Sequence, residues 1–264
     1  MNDILQVQQH GRVVRVSMNR PEKRNALNGT LCRELVDAVA RANRDPQVGA
    51  IILAGNGPTF CAGMDLEEAG HTRPDQINNV HEQLFTLSTR MIKPLVAEVD
   101  GPALGGGLGL VANCHIAIAS EKAKFGLTEI RLGLWPFLVF RAMSTAVGER
   151  HAVELALTGR IFDAQEAKEM GLVQQIAPEI EQRAMDMAEM LGDASPTAVR
   201  CGLSFVQEVR GKDWNMAGTI ARRVRDEIFR SADFCEGIRA FREKRKPEWP
   251  SREERNAYPG ERIL

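Results

Sequence analysis

The chain of 264 residues is 44% hydrophobic and 26% charged, with a net charge of -1 at pH 7, so it is long enough to bury a substantial core without disulfide or metal support. Near-neutral charge excludes a general attraction to nucleic acid or to an anionic membrane, and any anionic ligand must be met by local groups. Five scattered cysteines (Cys32, Cys61, Cys114, Cys201, Cys235) include no close pair of the zinc-binding or redox kind, no run approaches the ~18 apolar residues of a membrane span, and Met1 to His10 lacks the pattern of a targeting peptide. A cytoplasmic, soluble enzyme or scaffold is expected.

In chain order, Val14, Val16 and Met18 alternate with Arg15 and Ser17, which predicts a strand with one wet face, ended by Asn19-Arg20-Pro21. A helix follows from an N-cap at about Thr30, with Leu31, Leu35, Val39 and Ala42 on one stripe, until Asp45-Pro46 stops it. Ile51-Ile52-Leu53 and Leu95 to Val99 read as buried strands closed by sharp turns, Leu108 to Cys114 as a short helix, and Ile116 to Ala119 as a further strand. Strand, turn and helix recur, which predicts a layered α/β region over 1–195 holding the site. Past Pro196 three helices are expected, Val199 to Arg210, Trp214 to Arg230 and Phe234 to Arg245, making 196–264 a helical region that packs on the α/β part or on another subunit.

Two turns stand out chemically. Pro58 to Leu66 follows a buried strand, and its small residues let backbone N–H groups approach a ligand, although locally a tight turn around a core Phe60 is the simpler account. Gly101-Pro102-Ala103-Leu104-Gly105-Gly106-Gly107-Leu108-Gly109 lies between a strand and a helix start, where unsatisfied donors and the positive dipole end suit developing negative charge. A rival reading is a NAD-dependent dehydrogenase, because Gly107 to Ala112 matches a G-x-G-x-x-A dinucleotide pattern; against it, Glu121 comes sooner than the usual ~20 residues.

These turns, with Phe125-Gly126-Leu127-Thr128-Glu129 following, resemble the crotonase (enoyl-CoA hydratase/isomerase) superfamily. Asn19-Arg20-Pro21 with Asn25-Ala26-Leu27, the stretches Glu154 to Arg160 and Ala164 to Val173, and Phe241 to Pro247 extend the resemblance over roughly Val13 to Trp249. It implies a spiral of repeated β-β-α units with a C-terminal helical oligomerisation region, a homotrimer or dimer of trimers, and an acyl-CoA thioester as substrate. CoA is part of that substrate, and no separate cofactor or metal is implied. The backbone N–H groups of Met64 and Gly106 are implied to hold the thioester oxygen, and Glu129 to act as acid/base. CoA contacts are implied at Ala26, at backbone near Ala62, Asp65 and Leu66, at Lys23 or Arg24, and at Lys244 or Lys246 of the same or a neighbouring subunit.

Three departures qualify the resemblance. Hydratases of this superfamily carry two glutamates, one of them two residues after the triple glycine, where this chain has Gly109. A single base suits isomerisation of a 3-enoyl thioester, hydration of an unusually activated double bond, or lyase or decarboxylase chemistry; the missing glutamate also fits a non-catalytic acyl-CoA-binding protein. Trp135-Pro136-Phe137-Leu138 is bulkier than the usual Pro-Gly and reshapes the acyl pocket, and Asn113-Cys114-His115 replaces Cys-Asp, with His115 read as structural and Cys114 as core. His71, His81, Glu67 and Glu68 lie in the loop that lines the acyl pocket in relatives, any one a candidate for the missing group.

Overall fold

The computed structural model describes residues 3–69 and 74–252, the side chains of 69 and 74–78 excepted. Among them nine strands are present: β1 (Leu5–His10), β2 (Val13–Met18), β3 (Ala50–Gly55), β4 (Leu95–Val99), β5 (Ala103–Leu104), β6 (Ile116–Ala119), β7 (Lys124–Gly126), β8 (Phe162–Asp163) and β9 (Gln175–Ile176). The main sheet runs β1-β2-β3-β4-β6-β9, and a small second sheet runs β5-β7-β8. In the main sheet β1 and β2 form an antiparallel hairpin and every pairing from β2 to β9 is parallel; in the second sheet β5 and β7 are parallel and β7 and β8 antiparallel. Parallel neighbours need a crossover, and here each one passes through the second layer before returning, so that the chain winds as a spiral.

The parallel strands are apolar on both faces because both are covered. In β3, Ile51 and Leu53 join the large core shared with the helix Gly29–Arg44, while Ala50, Ile52 and Ala54 pack on the opposite face with Ile180, Ala184 and Met187 of the helix Ile180–Gly192. This second covering corrects the expected wet face of β2. Ser17 is buried, and Arg15 makes a bidentate pair with Glu98 of β4, at 3.0 Å from Nε to Oε2 and 2.6 Å from Nη2 to Oε1, beneath the Ile180–Gly192 helix. Arg15 reaches its partner across β3, and the Glu98 bond holds its guanidinium above its ordinary pKa against the cost of burial.

The helix expected at Thr30 runs over Gly29–Arg44, but its cap is Asn28, whose Oδ1 accepts from Leu31 N at 2.9 Å. Asn at the cap satisfies an orphan amide that Thr30, already inside the first turn, does not reach. The three helices after Pro196 span Pro196–Glu208, Trp214–Phe229 and Ala232–Glu243. They are tied back by Asp233, which accepts from Ser195 Oγ at 2.5 Å and Ser251 Oγ at 2.7 Å, and by Trp249 Nε1 donating to Asp193 O at 2.7 Å.

Successive turns of the spiral meet in the second layer over one or two residues: Leu27 pairs with Met64 and Cys61 with Ala103 as single rungs, and β5 pairs with β7 over two. Asn25 fastens the first of these. Its backbone has φ 53°, a conformation Asn tolerates better than most residues, its Oδ1 accepts from Arg20 N at 2.9 Å, and its Nδ2 donates to Thr59 O at 2.7 Å and Asn56 O at 3.0 Å. Asn25 O in turn accepts from the Cys61 thiol at 3.1 Å. Asn25→Ala is expected to lower the unfolding free energy by about 2–4 kcal/mol, since it strands several buried backbone groups and places Ala at positive φ. Urea titration measures this; a loss within error of zero refutes the role.

Candidate active site

The rung geometry decides which backbone groups stay free. Leu27 donates its N–H to Gly63 O at 2.7 Å and accepts from Asp65 N at 3.0 Å. In a parallel rung one residue bonds the two neighbours of its opposite number, so the N–H of Met64 itself turns away from Leu27. No acceptor among the described residues takes it. Gly105, with φ 51° and ψ -120°, redirects the chain into the helix Gly106–Asn113, and the N–H of Gly106 is likewise without an acceptor at that helix's first turn.

The two free donors are brought together by close backbone packing. A methyl group built on Gly63 would stand 2.8 Å from Leu104 O and 3.3 Å from Gly106 N, so only glycine lets these turns touch. One built on Gly107 would overlap Cys61 O, and one on Gly109 would come within 2.8 Å of Val139 Cβ. Gly107 and Gly109 are thus occupied by protein neighbours, and the dinucleotide reading of Gly107 to Ala112 loses its physical basis.

Glu129 arrives through β7. Gly105 N donates to Gly126 O at 2.8 Å, which locks the glycine turn to the Phe125–Gly126 segment. Glu129 opens a short 3-10 turn three residues later, with its carboxylate against Gly105: Oε1 lies 3.1 Å from a methyl built there. Oε2 is buried with no hydrogen-bond partner, and burial raises the carboxyl above its ordinary pKa, an effect its own backbone N–H partly offsets. Such a group is a base of usable strength held beside two idle N–H donors.

All three face a cavity of about 510 Å³ whose wall includes Leu27, Ala62, Leu66, Phe85, Trp135 and Val139. Its rim is apolar and exposed, with Phe137 74%, Leu132 59% and Leu66 55% accessible. Glu82 also reaches the wall but is exposed, whereas His81 is buried there.

Of the residues singled out in the sequence, the structure gathers Met64, Gly106, Glu129, Ala62, Leu66 and Trp135 on this cavity. Others stand elsewhere. Asp65 is buried in an ion pair with Arg20 at 3.1 Å, and Arg20 also donates to Ala26 O at 2.6 Å, so both serve the loop's own structure. Lys23 pairs with Glu67 at 2.8 Å in solvent, and Arg24 offers its carbonyl to Ala62 N at 3.0 Å. Lys244 caps the Ala232–Glu243 helix in the left-handed conformation, away from the cavity. Gly109 lies behind the wall, sealed by Val139. His115 accepts from Leu95 N at 3.0 Å through Nδ1, and burial lowers its pKa to about 4, which agrees with a structural role. His71 lies outside the described residues. Phe85 and Val139, which shape the wall, carried no signal beyond apolar character in the sequence.

Residues 8–252 match the model of the enoyl-CoA hydratase/isomerase family. The chain is 36% identical to an enoyl-CoA hydratase of Mycobacterium tuberculosis, EchA19, over 93% of this chain and 96% of that one. It is also 36% identical to a hydroxycinnamoyl-CoA hydratase-lyase of Pseudomonas fluorescens over 75% of this chain and 76% of that one. A crystal structure of an enoyl-CoA hydratase from Bacillus anthracis superposes with a TM-score of 0.88 at 31% identity, covering 94% of this chain and 100% of that one.

Filling the space at Gly109 should be costly despite the better helix propensity of any other residue. Gly109→Ala is expected to lose about 1–3 kcal/mol of stability by overpacking against Val139, and Gly109→Ala with Val139→Ala to recover most of it. Chemical denaturation of the single and double variants decides; an unperturbed Gly109→Ala would show that the wall yields.

Proposed function

We propose that this chain, which belongs to the enoyl-CoA hydratase/isomerase family and is an acyl-CoA enzyme of that type, works through a thioester enolate held by the N–H groups of Met64 and Gly106, with Glu129 as its acid/base. In this reading the thioester oxygen lies between the two donors as charge develops on it, each donor contributing about 2.7–4 kcal/mol to the transition state. Glu129, its proton affinity raised by burial, takes a proton from C2 of a 3-enoyl thioester and returns it to C4, so that the double bond moves to the 2-position.

The observation that carries isomerisation over ordinary hydration is the seal at Gly109. Hydration by a water held between two carboxylates needs a second carboxylate there, and Val139 fills that space. The likeness to a hydroxycinnamoyl-CoA hydratase-lyase favours a second reading, in which Glu129 activates water for addition to a conjugated, activated double bond, with cleavage to follow. The apolar rim at Leu66, Leu132 and Phe137 supports an acyl group that extends to the surface. Lys23, Arg24 and Lys244 belong to this proposal only as phosphate contacts outside the cavity. Exposed Trp214, at 93%, and Phe241, at 85%, on the C-terminal helices support the trimer or dimer of trimers.

Glu129→Gln is expected to lower kcat by about 10²–10⁴-fold on the substrate that wild type turns over. Mass spectrometry of the product separates the readings: isomerisation leaves the mass unchanged, hydration adds water, and cleavage shortens the acyl group. Full activity in Glu129→Gln removes the carboxylate from the mechanism. The wild-type rate is expected to rise with pH as Glu129 loses its proton, with a midpoint above the ordinary 4.5 of a glutamate because the folded site favours the protonated form. A midpoint at or below that value would contradict the assignment.

A further inference from the structure

Among the described residues two side-chain polar atoms of the cavity wall are buried without a hydrogen-bond partner, Glu129 Oε2 and His81 Nε2, and the proposed proton transfer employs the carboxylate but not the imidazole. His81 is only 8% exposed. Its ring is tilted against Phe85 at a centroid separation of 6.1 Å, and Phe85 Cζ is itself 3.1 Å from a methyl built on Gly106. Residues four apart lie on one face of the helix Pro74–Phe85, so the imidazole sits one turn from the residue that contacts the glycine turn, on the wall of the same cavity.

The cavity wall it belongs to is mostly apolar, with Leu27, Leu66, Phe85, Leu134, Trp135 and Val139, beside the polar Glu82, Thr128 and Glu129. Nε2 is already buried with nothing to bond in the empty cavity, so a hydrocarbon acyl chain leaves its lost hydration uncompensated, whereas an oxygen brought to it restores a hydrogen bond. Burial also keeps the ring below the ordinary histidine pKa, with Glu68 pulling weakly the other way. Neutral imidazole either donates or accepts through Nε2 according to its tautomer, so a hydroxyl or a carbonyl oxygen can complete it.

We propose that His81 is a specificity-determining residue whose Nε2 hydrogen-bonds a hydroxyl or keto oxygen on the acyl chain, so that the preferred substrates are oxygen-bearing acyl-CoA thioesters. The proposal deepens the acyl-CoA reading and rests on it. It is tested with matched pairs of unsaturated acyl-CoA thioesters of equal chain length that differ only in a distal hydroxyl or keto group. Wild type is expected to favour the oxygenated member by at least about tenfold in kcat/KM. His81→Leu should bring that ratio close to one, and His81→Gln should keep part of it. Because the ratio compares two substrates on one preparation, partial misfolding of a variant cancels. Turnover of both members by wild type with equal kcat/KM, or a ratio that survives in His81→Leu, overturns the proposal while leaving the enolate chemistry standing. Turnover of neither member overturns both.

Discussion

Where Gly63 of one turn of the spiral meets Leu104, Gly105 and Gly106 of the next, backbone touches backbone with no room for a methyl group. That approach determines the distance between two amide donors from segments far apart in sequence. The donors' freedom has a separate cause in each case. Met64 is turned outward by the alternation of a parallel rung, and Gly106 stands at the first turn of a helix, where no preceding carbonyl can reach it. Neither depends on a side chain, and both are rigid before any ligand arrives, which is what stabilisation of a developing charge requires.

The side chains of the cavity complement this backbone arrangement through contrast. Most of the wall is hydrocarbon, and within it stand a half-buried carboxylate and a buried imidazole, each with one buried atom unpaired. Burial acts oppositely on the two: it raises the acid's affinity for its proton and lowers the base's. Both groups are thereby pushed toward their neutral forms in the unliganded site.

Much of this was legible in the sequence because its signals are local. Glycines crowded at 105 to 107 mark a backbone approach, apolar runs at Ile51 and Leu95 mark buried strands, and the Phe125 to Glu129 segment follows at a distance that parallel pairing of β5 and β7 makes meaningful. What escaped depends on partners distant in the chain. Arg15 looked like the wet side of a strand because Glu98, which buries it, is 83 residues away. β1 carries Gln6, Gln8 and Gln9 and little apolar pattern, so only its pairing with β2 makes it a strand. Asn25 entered only as part of the Asn25-Ala26-Leu27 resemblance, and its side chain is the amide that fastens two loops. Asp65 was similarly absorbed by Arg20. His81 carried no local signal that distinguished it from its neighbours in the same segment.

The contact between Gly109 and Val139 also constrains how such a pocket changes over generations. A carboxylate at 109 and a branched aliphatic at 139 exclude each other, so a lineage moving between one-carboxylate and two-carboxylate chemistry must alter both positions. If residue 109 enlarges first, the helix Gly106–Asn113 is overpacked against its neighbour Phe137–Val147; if residue 139 shrinks first, a void opens beside Gly109. Either single step weakens the fold at the helix that presents Gly106. Residues 109 and 139 are therefore coupled through packing, with a stability valley between one filled arrangement and the other.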